Sequence, residues 1–416
     1  MKAGSLIIGF LAPVVFCQSS LAEPAVPSFK AVTIDSKIGI GYGITVADVD
    51  GDKKLDIILV DKDQVVWYQN PTWKKHVIAE KLTPKDHVCI AAADIDGDGK
   101  AEIAVGAEWN PNDTENSGAV FYLIPPADRT QKWGPVKLSH EPTVHRMRWV
   151  KNAEGKFDLV VVPLHGRGNK GGAGLGVKVF AYKMPANPKD PWKMELLNNS
   201  LHMTHNFQPV QWNHQTGQEI LIGGKEGVLH LAPPASGWVS YDPAAGKPAW
   251  QATRIIGNAG GETNTPGVGE VRVGTLGNGT TFIATVEPMH GNQLAFYTSN
   301  SRTGNTPGAV LWRRHLLDDT LVDGHALACG DFAGTGSDQI VVGWRAMGKA
   351  DAKVGIKMFT PLDPEGKNWK QTLIDDNGMA CEDLCVADLD GDGKLDIIAA
   401  GRATKNVKIY FNMGTK

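Results

Sequence analysis

The stretch DHVCIAAADIDGDGKAEIAVG, residues 86–106, places an acidic, glycine-containing turn between two short apolar runs. Two other segments align with the turn and its flanks without gaps: VADVDGDKKLDIILV, residues 46–60, and VADLDGDGKLDIIAA, residues 386–400. A weaker copy, CGDFAGTGSDQIVVG, occupies residues 329–343. Self-similarity of this kind is typical of repeat architectures, in which one supersecondary unit recurs along the chain.

Each unit has the same order of short strands. The acidic turn joins the first two strands, a third follows, such as VKVFAY or VKIYFN, and the fourth often begins with tryptophan, as in WKKHVIAE and WKQTLID. Three further copies have lost their acids but keep the strand: KFDLVVVPLHG, GQEILIGGKEG and TTFIATVEPMHG. Seven units of four strands, with no helical periodicity, predict an all-β, seven-bladed β-propeller.

The two ends of the repeat array predict how the ring closes. The last unit stops after VKIYFNMGTK and lacks a fourth strand, whereas the N-terminal segment FKAVTID resembles WKQTLID. We therefore expect an N-terminal strand to complete the last blade, within a single propeller domain of residues 23–416.

Residues 1–22 have the features of a cleaved signal peptide. Lys2 supplies a positive charge, residues 6–16 are apolar, and Ser20-Leu21-Ala22 fits a cleavage site. The sequence thus predicts an exported protein, periplasmic or extracellular, with no membrane span.

The net charge of the chain bears on its partners. A formal charge of −3 gives no electrostatic argument for nucleic-acid binding. We also expect the protein to be a monomer.

The acidic turns have the oxygen ligands and flexible spacing that calcium prefers. An EF-hand would need Glu at the twelfth position, where residues 94–105 have Val105. A solvated turn without metal is the alternative, but three near-identical copies favour structural calcium, with a degraded loop at 331–338. The predicted ligand sets are Asp48, Asp50, Asp52, Asp56; Asp94, Asp96, Asp98, Glu102; and Asp388, Asp390, Asp392, Asp396.

These turns resemble the FG-GAP/VCBS repeat family, whose members are calcium-carrying propellers. LVDGHALACGDF, residues 321–332, IVVGWR, residues 340–345, and the seven-unit layout are similar to the propellers of fungal aldos-2-ulose dehydratases. Rhamnose–glucuronate lyases are similar in architecture. The resemblance implies the fold and a sugar-directed activity, and no catalytic residue is carried over from either group.

In a propeller, the starts of the inner strands and the loops between second and third strands share one face, opposite the acidic turns. Polar side chains recur at the predicted strand starts in several units: Tyr42, His87, His145, His205 and His325. The loops of the same face add His165, Arg167, Lys225, His290, Trp344, Arg345 and Arg402. This face is therefore rich in imidazole and guanidinium groups, although the whole chain is slightly acidic.

These residue types suit β-elimination on a carbohydrate. Arg345 and Arg167 are predicted to stabilise enolate-like charge, one of three histidines to act as base, and another histidine or Tyr42 to protonate the leaving group. The candidate bases are His145, His205 and His325. The predicted substrate-binding residues are His87, His165, His290, Lys225, Trp344 and Arg402, with Trp344 stacking on a sugar ring.

Other interpretations of the same residues stay open. The protein could be a non-catalytic propeller that binds a glycan or a protein, because propellers host both functions. A glycosidase is a weaker alternative, since acids are few on this face. Histidines could instead bind zinc or iron, with His202 and His205 joined by His165 or His290, or a single histidine could simply fill the channel.

Overall fold

The computed structural model describes residues 26–212, 216–234, 237, 239–243, 246–257, 267–299 and 312–415. Within these ranges all helix or strand structure is strand, arranged as seven four-stranded antiparallel sheets. The predicted all-β, seven-bladed propeller is confirmed. The predicted signal peptide, residues 1–22, lies outside the described residues, and the described part of the chain contains no helix that could span a bilayer.

The strands follow the chain blade by blade. The N-terminal strand is β1 (Pro27–Asp35). The first blade contains β2 (Gly43–Ala47), β3 (Asp56–Val60), β4 (Gln64–Gln69) and β5 (Lys74–Glu80). The second contains β6 (Cys89–Ala93), β7 (Glu102–Ala107), β8 (Ala119–Ile124) and β9 (Gly134–Leu138). The third contains β10 (Val144–Lys151), β11 (Phe157–Pro163), β12 (Val179–Lys183) and β13 (Lys193–Asn198).

The remaining blades continue the same order. The fourth contains β14 (Thr204–Val210), β15 (Glu219–Gly224), β16 (Gly227–Ala232) and β17 (Gln251–Ile256). The fifth contains β18 (Glu270–Thr275), β19 (Thr281–Glu287), β20 (Gln293–Ser299) and β21 (Trp312–Asp318). The sixth contains β22 (Gly324–Gly330), β23 (Gln339–Trp344), β24 (Gly355–Pro361) and β25 (Trp369–Asp376). The seventh contains β26 (Cys381–Ala387), β27 (Asp396–Gly401) and β28 (Asn406–Thr415).

The seventh sheet joins the two ends of the chain. Its strand order is β1-β28-β27-β26, with β1 antiparallel to β28 and Ala31 opposite Tyr410. The outermost strand of the last blade therefore comes from the N-terminal end of the described chain.

The second strand of each blade is buried on both faces. DIILV in β3 and DIIAAG in β27 have every residue buried, because neighbouring blades pack against both sides of the sheet. Val, Ile and Leu suit this environment, since β-branched and aliphatic side chains pack well on a pleated surface. The continuous apolar runs in the sequence therefore mark the strands that neighbouring blades cover on both faces.

The first strands of the blades form a closed ring around the axis. Each of β2, β6, β10, β14, β18, β22 and β26 contacts the next one in this order, and β26 contacts β2. All run in the same direction. We call the end at which they begin the entrance face, and the end that carries the acidic turns the turn face.

Candidate functional site

Four inner strands begin with an irregular pairing at the entrance face. The register shifts leave His145 on β10, His325 on β22 and Glu382 on β26 without a Cα partner, and a wider shift on β14 includes His205. A β-bulge bends the strand and changes the direction of the side chain at the extra residue. The same four side chains all line one cavity on the axis.

This axial cavity has a volume of about 220 Å³. Seven of the predicted site residues line it: Tyr42, His145, His205, His290, His325, Arg345 and Arg402. Its lining also includes side chains to which the sequence analysis gave no role, notably Trp109, Arg146 and Glu382. Most of the polar lining is buried: His145 is 5% exposed, His205 1% and Glu382 2%.

Hydrogen bonds to backbone carbonyls set the tautomers of three imidazoles. Nδ1 of His145 lies 3.0 Å from the carbonyl oxygen of His205, and Nδ1 of His205 lies 3.1 Å from that of Gly269. Nδ1 of His325 bonds the carbonyl oxygen of Glu382. A carbonyl oxygen only accepts, so each Nδ1 carries the proton and each Nε2 keeps its lone pair. Every one of these bonds crosses to the next blade.

His205, His290 and His325 form an imidazole trio. Nε2 of His290 lies 2.7 Å from Nε2 of His205, and since the latter has no proton, His290 donates. One ring nitrogen from each of the three lies within 4.8 Å of the others. Neutral imidazoles whose second nitrogen donates to a carbonyl are a typical ligand arrangement for zinc and related metals. His205 and His325 have this arrangement, and the trio could hold a divalent transition metal ion once the hydrogen bond between His290 and His205 opens.

The electrostatic surroundings keep these rings neutral. Burial lowers the pKa of His145 and of the whole imidazole trio, because the charged form loses its hydration. The positive charges of Arg146 and Arg345 lower the pKa of these rings further. Four unprotonated rings in one cavity can coordinate a cation or accept a proton from a substrate.

Glu382 holds two guanidinium groups in place. Arg345 donates to Glu382 across 2.7 Å and to Asp323 across 2.8 Å, and Arg402 donates to the second oxygen of Glu382 across 3.0 Å. Arg402 also lies over the ring of Tyr42, 5.4 Å from its centroid. Both arginines are thus neutralised by carboxylates of the protein itself.

Arg146 is bound differently. Its Nη1 lies 3.1 Å from Nε2 of His145 and 3.0 Å from the His145 carbonyl oxygen. Among the described residues, no carboxylate forms an ion pair with it. Its charge lowers the pKa of Asp383 without a direct ion pair, and it can also stabilise a bound anion or negative charge that develops on a substrate.

Replacing Glu382 by alanine is expected to lower the free energy of unfolding by about 3 kcal/mol, because the change leaves two guanidinium groups without their shared carboxylate. Denaturant unfolding followed by circular dichroism measures this. The exposed Glu365→Ala variant is the matched control and should stay within about 0.5 kcal/mol of the parent protein. Equal stability of the two variants would show that the bridge contributes nothing.

Three predicted substrate-binding residues, His87, His165 and Lys225, lie outside the axial cavity. His87 is fully buried, and its Nε2 accepts the backbone N–H of Leu82 at 3.2 Å. His165 is buried where its backbone bridges to Met203. Lys225 extends towards the neighbouring loop, 3.4 Å from the carbonyl oxygen of Gly171.

Trp344 and Arg167 also require correction. Trp344 is buried, donates to the carbonyl oxygen of Lys353 at 2.7 Å, and packs in the core of the sixth blade, so it cannot stack on a sugar in the cavity. Arg167 donates to the backbone of Glu115 at 2.7 Å and lies 3.5 Å from Glu141. It therefore lies outside the axial cavity, bonded to neighbouring loops.

Tyr42 lines the cavity, but its hydroxyl group is directed elsewhere. It donates to Asp86 across 2.8 Å, and burial with this bond raises the pKa of Tyr42. The predicted proton donor is thus bonded to a residue outside the cavity lining. The predicted metal partner His202 likewise pairs with Glu226 at 2.8 Å, and His325 takes its place in the trio.

Trp109 and Arg146 line the cavity although the sequence pattern did not predict them there. Trp109 follows β7 and stacks on His145, with ring centroids 5.0 Å apart. Its position in an entrance-face loop was a usable signal. Arg146 follows His145 directly, and only the bulge on β10 allows both residues to line the cavity.

The acidic turns bring carboxylates together on the turn face. Three groups each have one oxygen per residue within 4.8 Å: Asp48, Asp50, Asp56; Asp94, Asp96, Glu102; and Asp388, Asp390, Asp396. Burial raises the pKa of Asp56 and Glu102 to about 7 and of Asp396 to about 6, and neighbouring acids add to this. A cation would stabilise the ionised forms.

The other predicted ligands of these turns bond the backbone. The fifth-position residues Asp52, Asp98 and Asp392 each accept the N–H of the residue two positions later. In the degraded loop, Asp331 accepts backbone N–H groups of its own turn, whereas Asp338 accepts the N–H of Thr275. These two carboxylates are therefore already bonded to different parts of the backbone.

The fold is that of a seven-bladed β-propeller, and its first two acidic turns lie in segments that match FG-GAP repeats. The family model described as FG-GAP-like repeat matches residues 48–105, and that described as FG-GAP repeat matches residues 90–123. A third model, the β-propeller domain of aldos-2-ulose dehydratase, matches residues 117–300. The resemblance predicted from the sequence is confirmed for both groups.

Among individual proteins, the chain is similar to aldos-2-ulose dehydratase of Phanerodontia chrysosporium. The two are 23% identical over 359 residues, which cover 80% of this chain but 37% of that protein. Two solved structures share the fold alone. A chain of the mitotic checkpoint complex has a TM-score of 0.51 at 12% identity and 99% coverage of both chains. The extracellular domain of the one component system BT4673 from B. thetaiotaomicron has a TM-score of 0.50 at 9% identity, covering 92% of this chain and 39% of that one.

Proposed function

We propose that the axial cavity removes water from a keto sugar by β-elimination, which would make the protein a carbon–oxygen lyase. The observation that carries this proposal is the convergence of four neutral imidazoles and the carboxylate-free guanidinium of Arg146 in one buried cavity. Similarity to a protein named aldos-2-ulose dehydratase supports an aldos-2-ulose as the substrate class. A volume of about 220 Å³ is below the usual range for drug-sized ligands and suits a single sugar ring.

His145 is the base in this proposal. It stands outside the imidazole trio, and the bond from Nδ1 to the next blade fixes its ring. Its Nε2 lone pair accepts an N–H of Arg146, and a bound substrate would displace this hydrogen bond. Nε2 takes the proton from the carbon beside the ketone, the electrons of that C–H bond form an enolate, and the β-carbon–oxygen bond breaks. The imidazolium then returns the same proton to the departing hydroxide, so water leaves and an unsaturated ketone remains.

Arg146 stabilises the negative charge. It is adjacent to the base and forms no ion pair with a carboxylate among the described residues. Its guanidinium group could therefore stabilise the negative charge that develops on the enolate oxygen. Arg345 is less suited to this role than the sequence suggested, because Glu382 and Asp323 already bind it. The imidazole trio would hold a divalent metal ion such as zinc, which when bound would polarise the substrate carbonyl.

We also propose that calcium stabilises the acidic turns and that the protein is exported. The three carboxylate groups of the acidic turns support calcium that stabilises the turn face, at the opposite end of the ring from the proposed chemistry. The leader sequence at residues 1–22 supports export to the periplasm or the extracellular space.

Arg146→Gln is expected to lower kcat/KM on an aldos-2-ulose by about 100- to 1000-fold, because it removes the positive charge beside the enolate. Ultraviolet absorbance follows the conjugated product, and mass spectrometry checks that one water is lost. Arg167→Gln, on the same face but outside the cavity, is the matched control and should keep parental turnover.

Two outcomes would contradict the proposed function. If the parent protein forms no unsaturated product from a panel of aldos-2-uloses and uronic-acid glycans, the proposed elimination is wrong. A ligand-dependent rise in melting temperature without turnover would instead identify a sugar-binding propeller.

A further inference from the structure

A second chamber lies on the axis nearer the turn face. Its volume is about 410 Å³, and its lining includes Arg148 from β10, Arg272 from β18 and Asp383 from β26. A narrow space lined by Arg146, Arg148 and Asp383 connects its walls with those of the axial cavity. The chamber shares none of the four imidazoles, so it is a separate compartment of the channel.

Arg148 carries a charge in the channel that no carboxylate of the described chain pairs with. Its Nε donates to the carbonyl oxygen of Phe207 at 3.2 Å and its Nη2 to the side-chain oxygen of Asn206 at 3.3 Å. The guanidinium also lies over the ring of Phe207, 5.6 Å from the centroid. All these partners are neutral. A half-buried charge without a counter-ion of its own has lost part of its hydration, so this arrangement favours an anion from outside the protein.

Arg272 lies on the wall two blades further round the ring. Its Nη1 donates to the carbonyl oxygen of Val271 at 2.7 Å, and its Nη2 lies 3.5 Å from Glu270. Glu270 is shared, since it also accepts a bond from Asn206 at 2.7 Å, and its other oxygen lies 3.0 Å from Nδ1 of His205. Burial lowers the pKa of Arg148 to about 10, and the positive charge of Arg272 contributes to this decrease. The two guanidinium groups therefore repel one another across the channel.

The carboxylates near the chamber do not cancel this charge. Asp383 accepts the backbone N–H of Ile44 at 3.0 Å and that of Leu384 at 3.0 Å. Burial raises the pKa of Asp383, whereas the positive charges of Arg146 and Arg148 lower it, so this one carboxylate is shared between two guanidinium groups. With Arg146 at the narrow connection, three guanidinium groups face Glu270 and Asp383, which leaves an excess of positive charge.

We propose that this chamber binds a small oxyanion between Arg148 and Arg272. The planar fork of a guanidinium group matches the paired oxygens of carboxylate and phosphate, and two guanidinium groups two blades apart can bind different oxygens of one ligand. The chamber lies outside the axial cavity, so binding here does not depend on the proposed dehydration.

The test is isothermal titration calorimetry on the whole chain, with inorganic phosphate in one arm and gluconate, a sugar carboxylate, in the other. Sodium chloride keeps the ionic strength constant in both arms. We expect saturable binding in at least one arm and at least tenfold weaker binding by Arg272→Gln. Phosphate binding alone would identify a phosphate site, and gluconate binding alone would identify a carboxylate site.

Two control variants locate the site. Arg313→Gln changes an exposed arginine on the outer strand β21, and Arg402→Gln changes one in the axial cavity; both should bind the anion as the parent does. If Arg272→Gln does not fold, Arg272→Lys keeps the charge without the fork and should bind several-fold more weakly. Absence of saturable binding in both arms, undiminished affinity in the Arg272 variants, or loss of affinity in Arg402→Gln alone would overturn the proposal.

Discussion

Replacing His290 by alanine is expected to abolish stoichiometric zinc binding and to lower turnover about 1000-fold. The imidazole trio would lose one of its three nitrogens, and a metal that polarises a carbonyl contributes several kcal/mol to transition-state stabilisation, of which about 4 kcal/mol corresponds to 1000-fold in rate. His290 is the partly exposed member of the trio, so its replacement disturbs packing less than that of His205 or His325. Metal content by mass spectrometry and turnover on an aldos-2-ulose measure the two effects.

His202→Ala is the matched control for this prediction. His202 lies on the same face and pairs with Glu226, away from the trio. It should retain the parental metal content and rate, and circular dichroism should show that both variants are folded. If His290→Ala binds zinc as the parent does, the imidazole trio is not the metal site. If it keeps full turnover, His290 has no role in the proposed reaction.

Removing calcium is expected to lower the free energy of unfolding by about 8 kcal/mol, since each of three sites held at one hundred times its dissociation constant contributes about 2.7 kcal/mol. The reason is that the buried carboxylates of Asp56, Glu102 and Asp396 would lose the cation that offsets their crowding. Denaturant unfolding with calcium and with a chelator measures the difference. Readdition of magnesium should recover little, because its small octahedral site suits these turns poorly.

Substitutions in single turns show how much each turn contributes to the calcium-dependent free energy of unfolding. Asp396→Asn should remove about one third of the calcium-dependent stabilisation, or about 2.7 kcal/mol at one hundred times the dissociation constant. Asp331→Asn, in the degraded turn whose carboxylate bonds its own backbone, should leave the chelator effect unchanged. If the chelator does not change the stability of the parent, the turns are solvated acidic loops.

The repeated turn was enough to predict the blades, because its glycines and acids recur at fixed positions before a buried apolar strand. The same alignment located His145, His205 and His325, since equivalent positions of inner strands meet at the axis. The position of these histidines at the axis follows from the symmetry of the ring, and the sequence around each histidine does not predict it.

The direction of individual side chains was harder to predict where two candidates are adjacent or lie in long loops. Trp344 and Arg345 are neighbours at the end of β23, and successive side chains point to opposite sides, so one enters the core and the other reaches the cavity. Arg167 was misplaced because its direction depends on Glu115 and Glu141, which belong to another blade. Arg146 depends on a bulge, which is a property of strand pairing that one strand's sequence does not show.

The imidazole-to-carbonyl bonds between blades have a consequence for how such a protein can evolve. Each acidic turn is complete within one repeat, so a repeat can lose its acids, as three have, while its neighbours keep theirs. The orientation of His145 instead depends on the backbone of the fourth blade, that of His205 on the fifth and that of His325 on the seventh. Deleting any one of the third to seventh blades would remove the donor or the acceptor of at least one of these bonds. Shuffling of single repeats can therefore spread the turns among propellers, whereas the histidine cavity can be inherited only with several adjacent blades together.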